Sequence, residues 1–336
     1  MTRTVGPLSI DLDRLDRQIL HALVVDGRAP FSRVAEVLGV SEQTAARRFR
    51  RLRDIGAINV IGVGTDLQTM RNWMVRLKCR LGMATAVADA LAARPDVSWV
   101  NLMAGGTEVM CVVRIPVDDA GEDALLDRLP RTREVLDLSA QVMLYKFWSE
   151  DRADWDDFPD PLTAEQTTAL RPRFTVPADA TTLRADDRPL LAALVADGRA
   201  TATVIASQIG WSPARVTRRI DELRASRLLR LETEILPEIV GLRGRAMIWL
   251  TIRAGAVDKA GHALADIPEV GFAAAISGPQ NMICSVLCRD LESIYHLVTS
   301  GPISTLPGLE AVEVQPSGRR FKQEQTRVVG ERLRRL

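Results

Sequence analysis

Residues 23–29 read LVVDGRA, and residues 194–200 read LVADGRA. When the comparison is extended at the same spacing of 171 residues, segment 16–58 matches segment 187–229 at 17 of 43 positions. A chance match at ordinary composition would give about three identities. The chain therefore contains an internal duplication, and a duplication of this kind sets the whole domain organisation.

Each repeat has the pattern of three short helices. Apolar residues recur at helical spacing over 15–23, which predicts the first helix. Gly39 and Gly210 each supply a turn because glycine tolerates positive φ, and Ser41 and Ser212 are placed as N-caps of the third helix. Two short helices joined by a glycine-containing turn form a helix-turn-helix, whose last helix enters the major groove of DNA.

The polar face of each third helix is rich in arginine. Residues 41–54 carry a net charge of +3, and residues 212–230 carry +4, although the acids Asp221 and Glu222 enter the second face. We therefore expect the first helix to contact DNA phosphates more strongly than the second; a solvated helix face is the alternative. The predicted DNA-binding residues are Ser41, Gln43, Thr44, Arg47, Arg48, Arg51, Ser212, Arg215, Thr217, Arg218 and Arg219.

Each helix-turn-helix segment is followed by a second module. Residues 73–80 (WMVRLKCR) alternate apolar and polar side chains, as a half-buried strand does, and the order β-α-β-β-α-β predicts a ferredoxin-like arrangement. Segment 94–113 matches 267–286 at a spacing of 173 residues, so this module is duplicated too. The predicted fold class is α+β, a winged helix-turn-helix plus a ferredoxin-like sensing domain, with the pair present twice. We expect the two sensing modules to associate face to face, within one chain or between chains.

The pattern also predicts domain boundaries. They are a helix-turn-helix domain at 10–65, a ferredoxin-like domain at 70–148, a linker at 149–182, a helix-turn-helix domain at 183–236, a ferredoxin-like domain at 243–316 and a tail at 317–336. The linker contains prolines and is acidic, with net charge −5 over 149–160, whereas the tail has net charge +5. We interpret the linker as a solvated connector or as a segment resting on a basic surface. The tail is interpreted as a poorly ordered, solvated end, with contact to phosphate or to the acidic linker as the alternative.

Composition narrows the class of protein. Hydrophobic residues make up 46% and charged residues 26%, which is ordinary for a soluble globular protein. The first ten residues lack the features of a signal peptide, and no apolar run approaches the roughly 20 residues of a membrane helix. We therefore predict a cytoplasmic protein without membrane contact. The four cysteines lack metal-binding spacing and are predicted to be reduced thiols packed in strands, so neither a metal nor a cofactor is predicted.

The sequence resembles a known family. Residues 12–58, LDRLDRQILHALVVDGRAPFSRVAEVLGVSEQTAARRFRRLRDIGAI, look like the N-terminal domain of the leucine-responsive/asparagine-operon regulator (Lrp/AsnC) family. The β-α-β-β-α-β module resembles that family's amino-acid-metabolism regulator domain, so the resemblance covers nearly the whole chain, twice. It implies a transcription regulator that binds double-stranded DNA and an amino acid or related metabolite, and that self-associates as a pseudo-dimer within the chain, as a homodimer, or as both.

The resemblance also implies an effector site. In the family the effector lies between paired sensing domains, near a Gly-aromatic-Asp turn between two strands. The matching turns here lack the aromatic residue, and only the first keeps an acid, Glu108, which would pair with an effector's ammonium group. Simple strand-connecting turns are the alternative. The implied effector-binding residues are Gly105, Gly106, Thr107, Glu108, Gly278, Pro279, Gln280 and Asn281.

Two other classes of function are compatible with this architecture. Siroheme decarboxylases share the architecture that the resemblance implies, and they need polar and basic groups, typically including histidine, around a tetrapyrrole. The three histidines, His21, His262 and His296, all fall on predicted helices, and no catalytic constellation is visible. The prediction is therefore that the chain is not an enzyme. The third class is an interaction scaffold whose helix-turn-helix units have lost DNA binding.

Overall fold

A computed structural model of the chain describes residues 12–64, 70–117, 124–147, 160–174 and 182–334. These residues belong to two separate units. The first, here termed the helical unit, lies within 1–67, 158–236 and 330–336, and the second, the barrel unit, lies within 68–157 and 237–329. Each unit therefore collects the two copies of one module, although the modules alternate along the chain.

The secondary structure follows the predicted order of modules. The helices are α1 (Arg14–Val25), α2 (Phe31–Leu38), α3 (Glu42–Asp54), α4 (Ala84–Ala92), α5 (Ala124–Arg128), α6 (Ala164–Leu170), α7 (Asp187–Ala196), α8 (Ala202–Ile209), α9 (Pro213–Ala225), α10 (Val257–Ala265) and α11 (Leu291–Thr299). The strands are β1 (Ile58–Gly64), β2 (Met70–Cys79), β3 (Val97–Met103), β4 (Glu108–Pro116), β5 (Val135–Phe147), β6 (Leu229–Ile235), β7 (Gly244–Ile252), β8 (Val270–Ile276), β9 (Met282–Cys288), β10 (Leu309–Arg320), β11 (Arg327–Val328) and β12 (Leu333–Arg334).

The helix-turn-helix segments form for the reasons that the sequence indicates. Gly39 and Gly210 end α2 and α8 in the left-handed region, with φ of 67° and 74°. Ser41 then accepts a hydrogen bond from the backbone of Thr44, and Ser212 accepts one from Arg215, so that each hydroxyl satisfies a free amide in the first turn of the next helix. The predicted turns and caps are confirmed in both repeats.

Strands β1 and β6 join the two repeats of the helical unit. They pair antiparallel, with Ile61 opposite Glu232. These two residues are 171 positions apart, the spacing of the sequence repeat. Because this central pair joins equivalent residues and the strands run antiparallel, an approximate two-fold axis relates the repeats at this point.

The barrel unit contains the two predicted ferredoxin-like modules. The first contributes the strand order β3-β4-β2-β5 and the second β8-β9-β7-β10; β5 pairs with β8 and β10 with β3, so that the eight strands close into a barrel. Pairing of the modules within one chain, one of the two predicted arrangements, is thus present. Helix α5 is shorter than the predicted helix over 121–129, of which residues 121–123 lie outside the described residues.

The sheet of each module is covered on both faces. On the outer face, apolar side chains of the first module's sheet pack against α4, and those of the second module's sheet pack against α10 and α11. The interior is lined by residues of both modules, including Met74, Met110, Met247 and Trp249. The four cysteines are free and buried in strands, as predicted, and burial raises the pKa of the Cys111 and Cys284 thiols to about 12.

The C-terminal segment differs from the prediction of a solvated, poorly ordered tail. Strand β10 continues to Arg320, and the next two residues, Phe321 and Lys322, are 1% and 0% exposed. The Lys322 ammonium donates a hydrogen bond to the carbonyl oxygen of Arg94 at 2.6 Å. Residues 321–324 are thus part of the barrel unit's core, because their apolar and polar side chains both find partners on the first sensing module.

The linker is described over residues 160–174. Asp160 pairs with Arg17 of α1 at 2.6 Å, while Leu162 and Leu170 are buried. Part of the linker therefore packs on the first helix-turn-helix; most of its acidic stretch lies outside the described residues. In the parts of the chain that the structure describes, none of the helices has the length and hydrophobicity that crossing a membrane requires.

Candidate functional site

The N-terminal half of α3 presents a polar surface. Gln43 and Arg47 are exposed, and Arg50 is exposed one turn further on. Arg50 donates only to a carbonyl oxygen of its own helix, that of Ala46, at 3.3 Å. Within the described ranges no hydrogen bond or ion pair involves the side chains of Gln43 or Arg47. These three side chains are therefore available to a ligand outside the chain.

Arg48 and Arg51, which were predicted to bind DNA, have partners within the chain. Arg48 lies 2.5 Å from a carboxylate oxygen of Asp13 and 3.2 Å from one of Asp16. Arg51 also pairs with Asp16, whose side chain is fully buried. The hydrogen bond that Arg48 donates to Asp13 raises the pKa of Arg48. These ion pairs fix α3 to α1, and since the Arg48 and Arg51 side chains remain 25% and 44% exposed, their contact with DNA stays a prediction.

Arg219 has the same role in the second repeat. Its guanidinium lies 2.6 Å from Asp187 of α7 and 2.9 Å from Glu222, and the side chains of Arg219 and Asp187 are 5% and 1% exposed. The hydrogen bond with Asp187 raises the pKa of Arg219. A buried side chain of this kind has no access to a phosphate, so the prediction that Arg219 binds DNA is wrong.

The remaining polar residues of α9 are exposed but partly engaged. Arg218 is 81% exposed and bonded to Glu222 at 2.8 Å. The hydroxyl of Thr217 donates to the carbonyl oxygen of Pro213 within the helix at 3.1 Å. The guanidinium carbon of Arg215 lies 3.8 Å from the ring centroid of Trp211. The two recognition helices thus present unlike faces.

A polar cavity of about 300 Å³ opens between the two sensing modules of the barrel unit. Arg76 and Trp249, which are 173 positions apart and so equivalent in the two modules, lie against each other there, with 5.2 Å between the guanidinium carbon and the ring centroid. The cavity therefore lies on the approximate two-fold axis of the barrel unit. It is lined by Arg76, Lys78, Asp137, Ser139, Gln141, Trp249, Gln280 and Glu313.

Arg76 is the central charge of this cavity. It pairs with Glu108 at 2.6 Å and with Glu313 at 2.7 Å. Burial opposes the charge of Arg76, but the two carboxylates outweigh it and raise the pKa of that side chain. Gln280 donates a hydrogen bond to the second carboxylate oxygen of Glu313 at 2.8 Å. The cavity therefore holds a fixed network of both charges.

The turns implied by the resemblance contribute little to the cavity. Gly105, Gly106, Thr107, Gly278 and Pro279 are exposed at the turns and do not line it. Of the eight implied residues only Gln280 lines the cavity.

Two others of that set, Glu108 and Asn281, have structural partners. Glu108 is buried against Arg76, and Asn281 bonds the backbone of Ile252 through both amide atoms, at 2.7 and 2.9 Å. An ammonium partner for Glu108 would therefore have to displace Arg76.

Sequence reasoning missed most of the cavity lining. The signal was present, because Arg76 and Lys78 alternate with apolar residues along β2, and Asp137, Ser139 and Gln141 alternate along β5. Alternation of this kind places side chains on one face of a strand. Alternation alone does not determine which strands lie side by side around the cavity.

The histidines lie away from this cavity. His21 is buried in α1, where its Nδ1 accepts a hydrogen bond from the backbone of Leu162 at 3.0 Å. His262 and His296 are on α10 and α11 with side chains 52% and 60% exposed. None of the three is among the residues that line the cavity.

Comparison with protein families identifies both modules. Residues 12–53 and 185–224 match the AsnC-type helix-turn-helix domain, and residues 245–326 match the Lrp/AsnC ligand binding domain. The transcriptional regulator AldR of Mycolicibacterium smegmatis is 36% identical over 105 residues. That alignment covers 29% of this chain and 61% of the regulator's own length.

A second relative aligns along most of the chain. The siroheme decarboxylase NirDL subunit of Paracoccus pantotrophus is 28% identical over 269 residues, which is 77% of this chain and 78% of that protein. The crystal structure of the siroheme decarboxylase NirDL superposes with a TM-score of 0.57 at 15% identity and covers 93% of each chain, which shows a shared duplicated fold. The prediction that the chain is not an enzyme is contradicted by this match, because a relative with the same arrangement of modules is a decarboxylase.

Proposed function

We propose that this chain, whose two helix-turn-helix segments and second sensing module match domains of the Lrp/AsnC family, is a transcription regulator that binds double-stranded DNA through those two segments. The observation that carries this proposal is the exposed polar face of α3, where Gln43, Arg47 and Arg50 have no partner outside their own helix among the described residues. The N-terminal residues of a recognition helix face base edges in the major groove. Both copies lie in one unit, so a single chain presents two such helices.

Electrostatics support the same proposal. The charge of the whole chain is only +1, and the exposed arginines of α3 and α9 concentrate positive charge where phosphates would lie. Phosphate neutralisation releases counterions, so binding falls steeply with salt. Gel-shift or anisotropy titrations with the full chain at 50 to 300 mM salt test this. A steep, linear fall of log K with log salt is expected; no binding at low salt would instead favour the scaffold function.

The cavity between the sensing modules supports a small effector. Lys78 and Arg76 provide cations and Asp137 and Glu313 provide anions within about 300 Å³, a volume at the lower end for sites of drug-sized ligands. A zwitterion such as an amino acid carries both complementary charges. We expect ligand binding here to change affinity for DNA.

Thermal shift with a panel of amino acids and related metabolites tests the effector. A ligand that binds only the folded state raises the melting temperature by mass action. Glu313→Gln is the informative variant, since it keeps the side-chain shape and removes the negative charge. A ligand that stabilises the native chain and the variant equally would not be bound at this cavity.

A second candidate function is a decarboxylase acting on siroheme or a related tetrapyrrole, which the alignment over 77% of the chain favours. Arg76 and Lys78 are the cations of the cavity that the carboxylates of such a substrate would meet. Incubation of the pure protein with siroheme, followed by absorbance spectroscopy and mass analysis of the pigment, tests it. A changed spectrum with loss of carbon dioxide from the pigment would establish this function; an unchanged pigment would exclude siroheme as the substrate.

A further inference from the structure

The first turns of the two recognition helices carry different residues. In α3 they are Glu42, Gln43 and Thr44, and the equivalent residues of α9 are Pro213, Ala214 and Arg215. These are the positions from which a recognition helix reaches base edges. The two helices therefore bring different hydrogen-bonding groups to DNA.

Trp211 gives the second helix-turn-helix a feature that the first lacks. Its side chain packs on the hydrophobic core of that segment, and the guanidinium of Arg215 lies 3.8 Å from its ring centroid. The equivalent residues of the first repeat are Val40 and Thr44, and the Thr44 hydroxyl is 2.9 Å from the Ser41 hydroxyl. A stacked guanidinium loses less freedom on binding because its plane is already held by the ring.

Arg215 is also accessible. Its side chain is 54% exposed, and its acidic neighbour Asp186, at 3.7 Å, is 77% exposed. An exposed pair of this kind is weak and gives way to a better partner. By contrast, Arg219 is buried and Arg218 is bonded to Glu222. Arg215 is therefore the arginine of α9 best placed to read a base.

We infer that the two helix-turn-helix segments read unlike half-sites, the second recognising guanine through Arg215 held on Trp211 and the first recognising adenine through Gln43. Arginine forms paired hydrogen bonds with O6 and N7 of guanine, and glutamine does so with N6 and N7 of adenine. This inference rests on the proposed function and specifies the DNA that it requires. The operator is then asymmetric, and a single chain binds it in one orientation.

Selection of bound duplexes from a random library, with the full chain, tests the inference. The native chain is expected to enrich a site with two different halves. Arg215→Gln is expected to lose the preference for guanine in one half by about tenfold or more, without changing the other half. Gln43→Ala is expected to relax the adenine in that other half alone. Arg188→Ala is the control in the same repeat, since Arg188 is an exposed arginine of α7 outside the recognition helix, and it is expected to leave the selected bases of both halves unchanged.

Trp211→Phe keeps a ring for stacking and is expected to preserve the guanine, whereas Trp211→Val, the residue of the first repeat, is expected to weaken it. Melting curves by circular dichroism check that each variant is folded. Enrichment of two identical halves, or an Arg215→Gln variant with unchanged bases, overturns the inference while leaving DNA binding intact. Failure to enrich any duplex at low salt overturns the proposed function as well, so the two failures are distinguishable.

Discussion

Arg28 and Arg199 occupy equivalent positions in the two repeats, and each binds the backbone of the other repeat. The Arg28 guanidinium donates to the carbonyl oxygens of Gly198 and Ala200 at 2.7 and 3.0 Å. Arg199 donates to those of Gly27 and Ala29 at 2.6 and 2.9 Å. The DGRA segment that identifies the duplication in the sequence is therefore itself part of the interface between the repeats.

The two arginines tolerate each other because each is held by carbonyl oxygens, and Arg199 also lies against aromatic rings. Arg199 lies 4.4 Å from the ring centroid of Phe31. Burial, and secondarily the charge of Arg28, lower the pKa of Arg199 to about 10. At neutral pH the side chain is still charged, so its hydrogen bonds to carbonyl oxygens are charge-assisted and strong.

Arg199→Ala is expected to lower the free energy of unfolding by about 2–3 kcal/mol, because hydrogen bonds to a charged group are lost and two carbonyl oxygens are left without partners. Urea unfolding followed by circular dichroism measures the change. Arg50→Ala is the matched control, since Arg50 is exposed, and it is expected to change stability by less than about 0.5 kcal/mol. Equal effects of the two substitutions would contradict the role of Arg199 in the interface.

Glycine at position 198 is required by a close approach of backbones. A Cβ atom there would lie 2.8 Å from the backbone nitrogen of Ile61, whereas a Cβ atom on the equivalent Gly27 would lie 3.0 Å from a side-chain methyl group of Val60. A side chain adjusts more easily than a backbone. Gly198→Ala is therefore expected to lower stability by about 1–3 kcal/mol and Gly27→Ala by less, as measured by melting temperature. The reverse order would show that the ribbon shifts freely at Ile61.

Arg47 and Arg219 show where prediction from sequence reaches its limit. Helical spacing predicted that both lie on the polar side of their helices, which holds for Arg47 but not for the buried Arg219, whereas the caps, turns and repeat followed from local residue types. Whether an arginine faces solvent or a neighbouring helix depends on the crossing of α9 with α7, which no local pattern encodes. The signal for the ion pair was Asp187, a polar residue repeated from Asp16 on the apolar side of its helix.

The lining of the cavity in the barrel unit was missed for the same reason, because it depends on contacts between distant parts of the chain. The strand pattern predicted the two modules, because alternation and turns are local features. Their pairing was expected because neither sheet could remain fully exposed. The meeting of Arg76 with Trp249 requires the register between strands of different modules. One-dimensional alternation does not contain that register. The family resemblance implies an effector site at the turns 105–108 and 278–281, whereas the residues that line the cavity come mainly from the interiors of strands.

Arg47→Ala is expected to change DNA binding, whereas Arg219→Ala is expected to change the stability of the fold. Arg47 has an exposed side chain, so its loss is expected to weaken DNA binding about equally on all sequences and to reduce the salt slope by about one, without a change in melting temperature. Arg219→Ala leaves the carboxylate of Asp187 buried without its main partner, at a cost of about 3–5 kcal/mol. Anisotropy titrations and melting curves separate the two. An Arg47→Ala variant that binds DNA like the native chain would remove Arg47 from the interface.

Arg76 and Glu108 are expected to be coupled energetically. Arg76→Met leaves the Glu108 carboxylate, which is 10% exposed, without its cation and is expected to destabilise the barrel unit by about 3 kcal/mol. Glu108→Gln in the same chain removes the uncompensated charge and is expected to recover part of the loss. A double-mutant cycle of unfolding free energies measures the coupling. Strict additivity of the two changes would mean that the pair contributes nothing.

Asp187 is expected to give the protein part of its sensitivity to acid. Burial by itself raises the pKa of this carboxyl, but the hydrogen bonds from Arg219 and from the backbone of Arg184 outweigh it, so the pKa in the folded state is lowered. An acid with a lowered folded pKa stabilises the protein above its unfolded pKa, which is about 3.9 for aspartate. That stabilisation is lost as pH falls through the folded value.

Asp187→Asn removes the titrating group and so tests this directly. At pH 7 the variant is expected to be less stable than the native chain by about 3–5 kcal/mol, because Arg219 is left buried without its carboxylate. The difference is expected to shrink below about pH 4, where the Asp187 carboxyl takes up a proton in the unfolded native chain but, because of its lowered pKa, stays ionised for longer in the folded chain. Urea unfolding at pH 7, 5, 4 and 3 measures it. Asp186→Asn is the control, since that side chain is 77% exposed and its loss is expected to change little at any pH. A difference for Asp187→Asn that stays constant down to pH 3 would show that the stabilisation by Asp187 does not depend on its charge.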